Sequence, residues 1–159
     1  FYPLAGKNRG VRTMKKEEIT PDTVYYTTNL NTLIQVVDKT DEMKKSDMLK
    51  EEFIKLLGIY VANRSGLVLV SFKEDKETIN GCMVISRHID RRGQYLYVDF
   101  AWIDPEYPKL RKKFEEEIMT ACKSRGIERI QMRMNHGFKA MEKLYGTYEI
   151  GRILEKKVM

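Results

Sequence analysis

The sequence predicts an α/β (α+β) domain, one mixed sheet with helices on both faces, on three observations. Segments rich in β-branched and aromatic residues are interleaved with segments whose apolar residues recur at helical spacing. Residues 95–146 run strand, polar turn, helix, strand and short helix without interruption, and two strands joined by a helix lie parallel with a right-handed crossover. Ahead of them, strand-like segments separated by short polar connections read as antiparallel neighbours.

Residues 24–28 form a short first strand. Asn29 is a suitable N-cap for a helix carrying Leu30, Leu33, Ile34 and Val37 on one side. Residues 38–46 are polar and read as a linker, after which Leu49, Phe53, Leu56, Leu57 and Tyr60 mark a second amphipathic helix. Residues 67–72 and 79–87 are strands joined by a charged connection, and Asp90, Arg91, Arg92 and Gly93 turn the chain into the strand that begins at 95. Asp104, Pro105 and Pro108 end that strand, because proline donates no hydrogen bond to a ladder and restricts its predecessor. Leu110, Phe114, Ile118 and Cys122 then repeat at helical spacing up to Gly126. Residues 127–134 alternate like a strand, 135–146 form a short helix and 148–158 a last strand. The order is β-α-α-β-β-β-α-β-α-β. Residues 1–23 are read as an N-terminal arm or an expression remnant ahead of one domain over 24–159.

Of 159 residues, 42% are hydrophobic and 33% charged, ordinary for a globular chain long enough to bury a core. No apolar run approaches the roughly 18 residues a membrane helix needs, and a cytoplasmic protein is expected. Cys82 and Cys122 sit in apolar segments without ligand spacing and read as reduced core thiols; with two lone histidines, His88 and His136, no metal site is expected. The formal charge is +6 and concentrated late: from Gly81 onward sixteen Lys and Arg face eleven Asp and Glu. Lys109, Arg111, Lys112 and Lys113 cluster where the third helix begins, and Arg87, Arg91 and Arg92 line the hairpin. Such groups attract phosphates, whether of a cofactor or a nucleic acid, or they are a solvated face balanced by Glu115, Glu116 and Glu117.

In the strand 95–103, alternation places Tyr97 and Asp99 on one face and Leu96, Val98, Phe100 and Trp102 on the other. A carboxylate in a half-buried strand is costly unless paired or functional. Asp99 is therefore either a general base or the partner of Arg87 or Arg133 across the sheet.

Three antiparallel strands followed by a strand–helix–strand unit resemble the GCN5-related N-acetyltransferases, the GNAT superfamily, over residues 24–158. "VLVSFKEDKETINGCMV" (68–84) is similar to that family's second hairpin, with Gly81 in place. "YLYVDFAWIDPEY" (95–107) resembles its central strand and exit, and "MRMNHGFKAMEKLYG" (132–146) its strand-to-helix segment, with Asn135 and Gly146 eleven apart. The chain looks like one of the divergent members carried by phages and mobile elements.

The resemblance implies an N-acyltransferase moving an acetyl group from acetyl-CoA to the amine of a small molecule or protein by direct attack. It implies cofactor contacts at Ile103, whose neighbouring amides would polarise the thioester, at Lys109, Arg111, Lys112 and Lys113, and at Asn135. The chain departs from the family where the pyrophosphate loop has two glycines: Arg111 and Lys113 stand there, substituting charge for close backbone approach. The family's proton-donating tyrosine falls at Glu142, and Tyr145, one turn on, is the substitute, unless it packs beneath the last strand. Asp99 and Tyr145 are thus the candidate catalytic pair. The alternative is a non-catalytic module of the same fold that binds a protein or nucleic acid through its basic surface.

Overall fold

The strands form because apolar side chains line both sides of the chain's middle third. In this computed structural model, which describes residues 15–43 and 48–132, the sheet comprises Tyr25–Tyr26 (β1), Gly66–Phe72 (β2), Ile79–Asp90 (β3), Gly93–Ile103 (β4) and Ile130–Met132 (β5), adjacent in that order. β1 to β4 pair antiparallel; β5 lies parallel to β4, with Leu96 opposite Ile130 and Val98 opposite Met132. Every residue of β2 is buried, as expected of a central strand covered on both faces.

Helices Leu30–Glu42 (α1) and Lys50–Asn63 (α2) cover one face, and Leu110–Arg125 (α3) the other. Asn29 caps α1, its side chain accepting from the Thr32 amide at 3.1 Å. α1 continues through residues 38–42, which the sequence reading assigned to a linker. That segment stays helical because Thr40 is buried and donates to Val36 O at 2.8 Å, while Lys39 pairs with Glu42 and Lys50 of α2 reaches Asp38. α3 closes at Gly126, φ +65°, with the Ile127 amide donating to Cys122 O at 3.0 Å.

Two cores result. Leu67, Leu69, Ile85, Leu96 and Val98 meet Leu110, Phe114 and Ile118 beneath α3. Val68, Val70, Val84 and Phe100 meet Leu33, Val36, Phe53 and Leu57 beneath α1 and α2. The expected alternation along β4 is broken here. The register runs Ile85↔Val98 and then Val84↔Phe100, so Asp99 is an extra residue, a β-bulge. Leu96 and Val98 therefore face α3, whereas Phe100 and Trp102 face α1 and α2, and these four do not share one face as alternation predicts. A second bulge leaves Asn80 unpaired between Ser71↔Gly81 and Phe72↔Ile79. Its buried amide donates to Asp22 Oδ1 at 2.8 Å and to Phe72 O at 3.2 Å.

The described part of the N-terminal segment is tied to this frame, with Asp22 N donating to Phe72 O and Lys16 meeting Glu77 at 2.8 Å. The expected helix 135–146 and strand 148–158 lie outside the described residues. No described helix is long and apolar enough to cross a membrane.

Gly66 lets the end of α2 rest on the sheet: a Cβ there would come within 2.6 Å of Ile85 O and 2.8 Å of the Tyr60 ring. Gly66→Ala is expected to destabilise the fold by about 1–3 kcal/mol in urea denaturation, since a backbone oxygen cannot yield as a side-chain tip can.

Candidate functional site

The hairpin from β3 to β4 turns at Arg91 and Arg92, with Gly93 at φ +105° and the Asp90 carboxylate accepting from the Arg92 amide at 2.8 Å. Arg129, just before β5, clamps the turn by donating to both oxygens of Asp90 and to Gly93 O. Those contacts hold Asp90 at about 2, with the Arg129 hydrogen bonds as the largest cause.

Counting back from that turn, Ser86 lies opposite Tyr97 and His88 opposite Tyr95, on the face that α1 and α2 cover in part. The His88 Nε2 is 2.7 Å from Ser86 Oγ. The His88 ring stacks on Tyr95 at 5.4 Å between centroids and meets Tyr97 edge-on at 6.0 Å. The bulge brings Asp99 into this group. Asp99 keeps an exposed surface, yet the protein around its carboxylate removes enough water to hold its pKa above the ordinary carboxylate value. The Ser86 hydrogen bond and the charge of His88 oppose that rise without cancelling it. Tyr60, from the last turns of α2, is raised as well, first by burial and then by the negative charge of Asp99, while its hydrogen bond with Ser86 opposes. Tyr60, Ser86, His88, Tyr97 and Asp99 thus form one polar cluster at the bulge. A carboxylate raised in this way is a stronger base than an exposed one.

The opposite face carries the cations. Lys109, Arg111, Lys112 and Lys113 are all exposed at the first turn of α3, whose N-cap, Lys109, makes no side-chain capping bond. Four cations beside a helix N-terminus create an anion-attracting end. Lys113 is partly committed, donating from Nζ to Asp22 O at 2.6 Å. The preceding turn is held by the Asp104 amide on Asn80 O at 2.8 Å, by Tyr107 OH donating to Glu74 at 3.0 Å and by Lys73 near Asp104 at 3.6 Å. The Glu74 contact pushes the Tyr107 phenol up to about 12.

Of the residues singled out from sequence, Asp99 stands in the polar cluster, and Ile103 ends β4 opposite Gly81, half-buried against the α3 core. The cation cluster follows one turn later, on the other side of the sheet from Asp99. Asn135, Tyr145 and Arg133 lie outside the described residues. Arg87 donates to Gln94 at 2.7 Å and shares the ladder with Leu96. Ser86, His88 and Tyr60 escaped the sequence reading, although the first two were within reach of it, because a hairpin turn at 91–92 fixes 86 opposite 97 and 88 opposite 95. Cys82 and Cys122 are buried free thiols, pushed up by that burial to about 12 and about 11. Among the described residues no group of His, Cys, Asp and Glu is arranged to hold a metal ion.

The mixed five-stranded sheet with helices on both faces matches the GCN5-related N-acetyltransferase fold of solved acetyltransferases. An aminoglycoside 6'-N-acetyltransferase from Acinetobacter baumannii superposes with a TM-score of 0.69 at 10% identity, over 86% of this chain and 97% of its own. A predicted acetyltransferase from Clostridium acetobutylicum, solved with acetyl-CoA, gives 0.67 at 13% identity over 85% and 96%. Glucosamine-6-phosphate N-acetyltransferase from Arabidopsis thaliana gives 0.66 at 15% identity over 85% and 97%. No family profile and no curated protein matches the sequence.

Because Asp99 is raised on folding, its contribution to stability is fully present below the unfolded carboxylate value and is lost as pH rises through the folded one. Asp99→Asn is therefore expected to gain stability relative to the parent at pH 7 and to lose that advantage at pH 3, as read by thermal melts at both values.

Proposed function

We propose that the chain is an N-acetyltransferase that takes its acetyl group from acetyl-CoA and delivers it to a primary amine on a small polar molecule. The observation that carries this reading is the bulge at Asp99, which sets a carboxylate of raised pKa on one face of β4 while the cationic start of α3 lies beyond the strand's end on the other. The fold is shared with acetyltransferases whose names specify glucosamine-6-phosphate and an aminoglycoside, both small amine-bearing molecules, and one was solved with acetyl-CoA.

The residues present fit the donor by charge. Lys109, Arg111 and Lys112 would face its phosphates, and the turn of Lys113 toward Asp22 keeps one of the two substituted glycine positions from crowding the helix start. Bound acetyl-CoA would supply an acyl carbon activated as a thioester. An amine reaching the site is protonated in water and carries no free lone pair, so Asp99 would take the ammonium proton. Transfer would form the C–N bond from the freed lone pair as the C–S bond breaks, and the proton still on the new amide nitrogen would pass to the departing sulfur, so that amide, thiol and protonated Asp99 account for every proton. Burial helps Asp99 here because a carboxylate of raised pKa is a stronger base toward the ammonium than an exposed one.

Calorimetric titration with acetyl-CoA and CoA tests the donor. Micromolar binding is expected, and silence at millimolar ligand overturns the reading. Replacing Lys109, Arg111 and Lys112 together by Glu is expected to weaken that binding about tenfold or more, with a reduced salt dependence. With an aminoglycoside or amino-sugar acceptor panel, Asp99→Asn is expected to lower kcat by roughly 10²-fold or more while CoA affinity is kept.

A further inference from the structure

We propose, resting on the acetyltransferase reading, that Asp22 is a positioning residue of the donor site, whose carbonyl holds the Lys113 ammonium beside the start of α3.

Asp22 lies ahead of β1, far in sequence from α3, yet three elements meet on it. Its amide donates to Phe72 O of β2 at 3.1 Å, and its Oδ1 accepts from Asn80 Nδ2 of β3 at 2.8 Å. Its carbonyl accepts from Lys113 Nζ of α3 at 2.6 Å. The backbone at Asp22 is left-handed, φ +58°, a conformation that aspartate and asparagine adopt more readily than other residues with a Cβ. In that conformation the amide stays on β2 while the carbonyl reaches α3.

Asn80 ties Asp22 to the frame that carries the helix. It is 0% exposed, at the bulge of β3, and its own carbonyl accepts the Asp104 amide at 2.8 Å. Asp104 O accepts in turn from the Tyr107 amide at 2.9 Å, and Tyr107 O from the amide of Leu110, the first residue of α3, at 3.1 Å. A run of hydrogen bonds therefore joins Asp22 to the helix start, and Lys113, one turn further on, closes the ring.

The partner of Lys113 is a neutral carbonyl rather than a carboxylate, so its charge is held in place without being cancelled. An ammonium has three donors, and one bond to a carbonyl leaves two to give. Helical side chains lean toward the N-terminus, so an untethered Lys113 would sweep over the first-turn amides. Held on Asp22 it stands at their side, already ordered, and little ordering is left to be done when the donor's diphosphate arrives.

The test is calorimetric titration of the full chain with acetyl-CoA in Asp22→Val, Asp22→Asn, Lys113→Met and the double variant of Asp22→Val with Lys113→Met. A β-branched residue is strained at a left-handed φ, so Asp22→Val displaces the carbonyl, whereas asparagine keeps both the turn and the Asn80 contact. Asp22→Val is expected to bind acetyl-CoA about threefold to tenfold more weakly, and Asp22→Asn at least as tightly as the parent. In the Lys113→Met background Asp22→Val is expected to lose nothing further, because Asp22 acts through Lys113. Unchanged affinity in Asp22→Val, an equal loss with and without Lys113, or a loss in Asp22→Asn as large as in Asp22→Val overturns the inference. Where Asp22→Val gives no cooperative thermal melt, Asp22→Ala, which strains the turn less, replaces it under the same expectations. If the parent binds neither acetyl-CoA nor CoA, the acetyltransferase reading fails by itself, and the same proteins are titrated with inorganic pyrophosphate. Absent binding there, or equal binding by the parent and Asp22→Val, overturns the positioning role as well.

Discussion

One extra residue in β4 is the constraint on which both sides of the molecule depend. β3 and β4 pair along most of their length, and a pairing that long fixes the direction of every side chain it includes. Without an insertion, residues 96, 98, 100 and 102 would all face one helix layer. The bulge at Asp99 divides them. Leu96 and Val98 complete the core under α3, and Phe100 completes the core under α1 and α2. A strand buried on both faces needs apolar groups on both, and β4 obtains them by changing face once in its middle rather than by a continuous apolar run. The residue left over carries the charge.

The same insertion separates two kinds of electrostatics. On the α1 and α2 side, burial raises both Asp99 and Tyr60, and aromatic rings crowd His88. On the α3 side the charges stay in water, where Lys109, Arg111 and Lys112 attract an anion without paying for desolvation. β4 links the two, since it carries the acid at its middle and ends in the turn that starts the cationic helix. The second bulge, at Asn80, fastens that turn: the Asn80 carbonyl takes the Asp104 amide, and its side chain holds Asp22, whose own carbonyl receives Lys113.

Legibility followed periodicity. β2, β3, β4 and α3 appear where the alternation of apolar residues placed them, β5 begins at Ile130 rather than at 127, and Asn29 and Gly126 cap helices as their chemistry suggests. The reading failed in two places for identifiable reasons. Residues 38–42 look like a linker because they are polar, yet the hydroxyl of Thr40 and the partners of Asp38 and Lys39 let polar residues complete a helix. Alternation along β4 assumed an unbroken ladder, and a bulge leaves no compositional mark. Asp99 was found because a carboxylate inside a strand is conspicuous. Ser86 and Tyr60 were not, since a serine and a tyrosine in apolar segments resemble ordinary packing.

By itself, then, the sequence determined the succession of the described elements, the parallel crossover from β4 to β5, the cationic start of α3 and the presence of an acid in β4. These are local properties, set by side-chain period, capping and charge within a few residues. Only the tertiary structure decided which way that acid faces and what surrounds it. The register between β3 and β4, and the end of α2 resting on Gly66, bring together Tyr60, Ser86, His88 and Asp99 from three elements. Which residue is left over in a ladder is a balance between two cores on opposite faces, and no stretch of the chain contains both.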